Sequence, residues 1–166
     1  MLQKKICLLG DFAVGKTSLV RQWVEGRFDD KYLSTIGVKI SRKTLQRVYG
    51  DLNLLVWDLA GGEEFNTQAA YLRGVAGALI VCDLTRRPTF LALERYAGQV
   101  RTVHARAPLV LVGNKIDLAA DRAVSDADLR EMGAALGGPF CLASARTGAQ
   151  VETAFVRLAE QLEGSA

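Results

Sequence analysis

Eight residues near the amino terminus carry the most specific chemistry in the chain. Gly10-Asp11-Phe12-Ala13-Val14-Gly15-Lys16-Thr17 matches the pattern G-x-x-x-x-G-K-[ST], in which glycines let the backbone wrap closely around phosphates and successive N–H groups point inward at the anion. A helix starting at this point adds the positive end of its dipole. Lys16 is placed to reach β- and γ-phosphates, and the Thr17 hydroxyl to bind Mg²⁺. The metal needs a second oxygen donor, and Asp58 supplies one at the end of the apolar run Val56-Trp57-Asp58-Leu59-Ala60-Gly61. It would act through water, because Mg²⁺ gives up its waters reluctantly. Gly61 would present its backbone N–H to a γ-phosphate. A third loop, Val112-Gly113-Asn114-Lys115-Ile116-Asp117, again follows an apolar strand. An acidic side chain here accepts two hydrogen bonds from the N1–H and exocyclic amine of guanine, a donor pair that adenine lacks. The wrong base would leave a carboxylate unpaired, which is costly.

The elements that must hold these loops are visible in the apolar pattern. Strand-length runs recur at residues 5–9, 52–57, 78–82, 109–112 and 140–142, nearly continuous as parallel strands covered on both faces require. Helical stripes fall between them, at 17–24, 90–103 and from Val151 to Leu162. Residues 38–49 and 52–57, joined by Gly50-Asp51, read as a hairpin. The spacing therefore predicts an α/β fold with a mixed six-stranded sheet, one antiparallel edge strand, and alternating helices. The adjacent Lys4 and Lys5 read as a solvated strand edge, and Trp23 and Trp57 as core-facing.

Composition closes off other classes. The chain has 166 residues, 49% hydrophobic and 23% charged, with 16 glycines and three prolines, which fits one globular domain over residues 1–166 rather than a disordered or repeat protein. No apolar run approaches the roughly 18–20 residues that span a bilayer, and no signal peptide opens the chain, so a cytoplasmic location is expected. A net charge of +3 from 21 basic and 18 acidic residues does not mark a nucleic-acid binder. Cys7, Cys82 and Cys141 each lie in apolar runs and read as reduced core thiols. The single His104 reads as a solvated helix end, and Arg86-Arg87-Pro88 as a solvated loop. Arginine outnumbers lysine 14 to 7, a composition that points toward a prokaryotic genome.

Taken together these motifs resemble the Ras superfamily of small GTPases over essentially the entire chain. Residues 32–38 and 71–85 are most similar to its Rab branch. The resemblance implies the doubly wound P-loop G domain, with helices on both faces of the sheet and nucleotide at the carboxyl ends of the strands. It implies a GDP/GTP switch with Mg²⁺ and slow GTP hydrolysis. Nucleotide contacts carry over to Ala13, Val14, Gly15, Lys16, Thr17, Ser18, Phe28, Tyr32, Thr35, Gly61, Asn114, Lys115, Asp117, Ser144, Ala145 and Arg146. Phe28 would stack on guanine and the Ala145 N–H would meet its O6. Thr17, Thr35 and Asp58 would hold the metal, and Lys16, Thr35 and Gly61 would serve catalysis. Loops 28–38 and 59–73 would signal to effectors, exchange factors and activating proteins, with the chain acting as a monomer.

Three departures from that pattern matter. Gly62 stands where the family carries the glutamine that orients the attacking water, which should slow an already slow reaction; Glu63, Glu64 and Gln68 are the nearby polar candidates. Phe12 is bulky where many Ras-type chains are small, and either crowds the space above the γ-phosphate or packs on the second loop. The carboxyl end, 161–166, carries no cysteine, and Leu2 excludes myristoylation, so no lipid anchor is expected in this chain. Rival readings are a GTP-loaded interaction module with negligible hydrolysis and the G domain of a larger Roc-type protein. An ATP-dependent kinase is disfavoured by Asp117.

Overall fold

A computed structural model of the chain describes residues 2–29, 35, 37–62 and 65–164. Six strands form one sheet: β1 (Leu2–Leu9), β2 (Val38–Arg47), β3 (Gly50–Leu59), β4 (Gly77–Asp83), β5 (Leu109–Asn114) and β6 (Phe140–Ala143), in the order β2-β3-β1-β4-β5-β6. Only β2 runs antiparallel to its neighbour, with Val38 opposite Leu59 and Arg47 opposite Gly50. The hairpin and antiparallel edge strand follow the expectation, with the turn at Val48 and Tyr49 rather than one pair later.

The strands alternate their side chains between two apolar layers, as a period of two demands. Ile6 and Leu8 of β1 and Leu79 and Val81 of β4 face the layer closed by α1 (Lys16–Glu25) and α6 (Val151–Gly164). Cys7 and Leu9, with Ile80 and Cys82, face the other. That layer is covered by α3 (Arg87–Leu91), α4 (Leu93–Val103) and α5 (Asp126–Leu136), with the short α2 (Phe65–Tyr71) beside it. Every residue of β4 and β5 is buried, which is why both read as unbroken apolar runs. Trp23 of α1 stacks on Phe155 of α6 with ring centroids 4.0 Å apart.

The expected helix over 90–103 is α3 plus α4, beginning earlier, with Pro88 in the first turn where its missing N–H costs nothing. Lys5 does not lie at a sheet edge. β1 is flanked by β3 and β4, and the Lys5 ammonium sits 3.6 Å over the Trp57 ring while donating to the Arg73 carbonyl. Trp57 is only partly buried. The three cysteines are buried and free. No described helix is long and apolar enough to cross a membrane.

Candidate functional site

A cavity of about 310 Å³ opens at the carboxyl ends of the parallel strands, where such sheets place their ligands. Its floor is the loop between β1 and α1. Gly15 caps α1 with φ +101, and a Cβ there would lie 2.3 Å from the Asn114 amide nitrogen; glycine is what lets the two loops touch. Asn114 fastens them, donating from Nδ2 to the Val14 carbonyl at 2.9 Å and accepting the Ala145 N–H at Oδ1 at 3.1 Å. Lys115 adds a second tie, its Nζ donating to the Ala13 carbonyl at 3.1 Å and pairing with Asp83 at 2.9 Å. Ala13 and Lys115 both have positive φ, +63 and +74, and such strain in non-glycine residues gathers at functional loops.

Lys16 is buried and turns its ammonium back onto the loop, donating to the Gly10 and Asp11 carbonyls at 2.9 and 3.2 Å. Burial lowers its pKa to about 8, against the pull of Asp58 and Asp11, with the Arg86 charge lowering it further. Next to it, three oxygens from three segments converge. Thr17 Oγ1 lies 2.5 Å from Thr35 Oγ1 and donates to Asp58 Oδ2 at 2.5 Å, and Thr35 Oγ1 is 3.4 Å from the same oxygen. Asp58 is 1% exposed, and among the described residues its Oδ1 has no hydrogen-bond partner. Burial pushes its carboxyl above the usual range, although Thr17, Lys16 and Thr35 pull the other way. An all-oxygen set with an orphaned buried carboxylate oxygen is what a hard divalent cation requires, and Mg²⁺ fits it.

At the far end of the cavity Asp117 accepts the Ser144 hydroxyl at 2.7 Å, and Ser144 in turn accepts the Thr147 N–H. Gln22 of α1 holds the Ala145 carbonyl at 2.8 Å.

Fourteen of the expected site residues line this cavity: Ala13, Gly15, Lys16, Thr17, Ser18, Phe28, Thr35, Gly61, Asn114, Lys115, Asp117, Ala145 and Arg146 directly, with Asp58 reaching it through the oxygen cluster. Two do not. Val14 and Ser144 are fully buried behind the wall, where Val14 offers its carbonyl to Asn114 and Ser144 orients Asp117. The Ala145 N–H, expected at guanine O6, is given to Asn114 Oδ1, so any contact with a base there requires sharing that hydrogen. Tyr32 lies outside the described residues, as do Glu63 and Glu64. Phe12, Asp29, Leu59 and Leu118 also line the cavity although no motif marked them as ligands. Phe12 is 57% exposed.

Residues 5–164 match the model of the Ras family. The chain belongs to the Ras family. Among related proteins, the GTP-binding protein Rab-3D of Rattus norvegicus is 35% identical over 158 residues, covering 94% of this chain and 72% of the relative. The Ras-related protein SEC4 of Candida albicans is 36% identical over 162 residues, 96% of this chain and 77% of that one. The match is thus to the Rab type, and Ras family members are GTP-binding switch GTPases. The arrangement of strand ends, phosphate loop and oxygen cluster is that of a Ras-family P-loop fold.

Beyond β3 the chain passes back against the loop between β1 and α1. Gly61 packs so closely on the phosphate loop that a Cβ would lie 2.5 Å from the Phe12 nitrogen. Gly62 follows in the left-handed region, φ +74, and the Tyr96 hydroxyl donates to Asp11 at 2.7 Å. Gln68 is not among the residues lining the cavity. It is 1% exposed, and its amide donates to the Ala60 carbonyl at 3.1 Å.

Proposed function

We propose that the chain is a guanine-nucleotide switch that holds GDP or GTP with Mg²⁺ in this cavity and hydrolyses GTP slowly. The observation that carries the reading is the meeting of Thr35 with Thr17 and Asp58, three separate segments brought to one point beside Lys16. Lys16 exchanges the Gly10 and Asp11 carbonyls for β- and γ-phosphate oxygens. The Gly15 to Ser18 backbone, at the start of α1, faces the same anion. Asp117, held by Ser144, accepts the two guanine donors, and Phe28 and Lys115 flank the base. When bound at Thr17, Thr35 and Asp58, Mg²⁺ supplies positive charge against the phosphate oxygens.

Loss of the γ-phosphate removes the contacts of Thr35 and Gly61, so loops 28–38 and 59–73 change surface and present two states to effectors, exchange factors and activating proteins. Gly62 has no side chain to orient water and Gln68 is committed to Ala60, so the intrinsic rate falls below the roughly 3–5 × 10⁻⁴ s⁻¹ of Ras. Calorimetric titration with GDP and ADP, each with and without EDTA, tests the site: tight, Mg²⁺-dependent binding of GDP alone is expected, and equal affinity for ADP would defeat the reading. Single-turnover hydrolysis tests the rate, with Gly62→Gln run beside Gly62→Ala to separate a restored side chain from the backbone cost. A rate that rises only with glutamine is expected. Phe12 and Gly62 also favour a second reading, a GTP-loaded interaction module, in which the wild type forms no GDP at all in the same assay.

A further inference from the structure

Arg86 is left unused by the reading above. It lies in the loop between β4 and α3, and its guanidinium is held at two points. Nε faces Asp83 Oδ2 at 3.3 Å, and Nη2 donates to the Phe12 carbonyl at 2.6 Å. Asp83 is a firm anchor, since it also takes Lys115 Nζ at 2.9 Å and the Thr85 hydroxyl at 2.7 Å. The planar guanidinium has five donors, so two such ties leave others for an anion. Its partner Phe12 is the phosphate-loop residue against which Gly61 is pressed. The arginine charge is therefore tethered to the carbonyl of the residue whose nitrogen side faces Gly61. A groove joins Phe12, Gly62 and Arg86, and among the described residues nothing lies within 4 Å of where a Cβ of Gly62 would stand. Phe12 is exposed and lines both the cavity and this groove, whereas Arg86 lines the groove.

We propose that Arg86 is a catalytic residue for GTP hydrolysis, leaving the Phe12 carbonyl to donate to the γ-phosphate and supplying from within the chain a charge that such sites otherwise take from a partner. The inference rests on the GTPase reading given above. In the reaction a water oxygen forms the new bond to the γ-phosphorus while the bond from phosphorus to the β–γ bridging oxygen breaks, its electron pair leaving with GDP. The water's protons pass to the phosphate product and solvent. Arg86 neither gives nor takes a proton; its N–H groups stabilise negative charge on the γ-phosphoryl and bridging oxygens as it develops. It does not orient the water, so the overall rate stays low.

Single-turnover hydrolysis of preloaded GTP, measured beside GDP dissociation, tests this with Arg86→Ala, Arg86→Lys and the control Arg87→Ala, whose native side chain pairs with Asp128. Arg86→Ala should slow hydrolysis about 20-fold, the scale by which a built-in arginine separates G proteins, with GDP dissociation unchanged within about twofold. Arg86→Lys should be intermediate and Arg87→Ala near wild type. Guanidinium ion at low millimolar concentration should restore part of the Arg86→Ala rate, which a lost tether would not permit. Unchanged hydrolysis in Arg86→Ala, or equal changes in hydrolysis and GDP release with no guanidinium rescue, would overturn the proposal and leave Arg86 a brace for the phosphate loop. Failure of the wild type to bind GDP would instead defeat the underlying reading.

Discussion

Asp117 meets the cavity with one oxygen already fixed by Ser144, so its position is set before any base arrives. Asp117→Ala should weaken GDP binding about 100-fold, the worth of two charge-assisted hydrogen bonds, and leave ADP binding unchanged in the same titration. Asp83, which pairs with Lys115 of the cavity wall, tests the electrostatics. Burial alone would raise its carboxyl pKa, but hydrogen bonds from Thr85 and Lys115 outweigh it and hold the group below the ordinary value. A depressed carboxyl stabilises the fold above its unfolded pKa, and that contribution is lost as pH falls through the folded value. Asp83→Asn should therefore cost about 2 kcal/mol near neutral pH, with the gap to wild type closing below about pH 4 in urea melts run across pH.

At the scale of elements, the capping of α5 offers a clean test. Ser125 accepts the Asp128 N–H while the Asp128 carboxylate accepts the Ser125 N–H and pairs with Arg87. These contacts lower the Asp128 pKa to about 2. Ser125→Ala should cost about 1 kcal/mol by chemical denaturation. Gly62, left-handed at φ +74, predicts that Gly62→Ala costs about 1 kcal/mol, since among the described residues a Cβ there meets nothing within 4 Å. All six strands were legible: β4 and β5 as unbroken apolar runs because they are buried throughout, β1, β3 and β6 from shorter runs, and β2 from the hairpin turn that joins it to β3. Helix α5 was not, because only Leu129 and Gly133 are buried along it and the stripe is too thin to read; its S-x-x-D cap was the signal available. Within the site, the motif residues were legible because phosphate and metal chemistry constrains residue type. Leu118, Asp29 and Phe12 reach the cavity only through the path of the folded loops, which no spacing rule encodes, and the placement of Val14 and Ser144 behind the wall follows from packing rather than from motif.

For the molecule as a whole, the three thiols report on the sheet from its middle to its rim. Burial pushes Cys7 on β1 and Cys82 on β4 up to about 12, with the nearby Lys5 charge opposing the shift at Cys7 and Asp83 adding to it at Cys82. Cys141 on the edge strand β6 is raised by burial as well, against the pull of Arg157. Thiolates are the reactive form, so a disulfide reagent at neutral pH should label none of the three in the native state. Labelling of Cys7 and Cys82 should track global unfolding, with Cys141 reacting earlier through fraying of the edge. Ala60 carries a different consequence. Its N–H is held by the Gly37 carbonyl at 2.9 Å and its carbonyl by Gln68 at 3.1 Å, so the two segments grip different peptide units that meet at one Cα. Rotation there can free one unit while the other stays tied. The two segments share a pivot rather than a plate, and each can let go at its own rate.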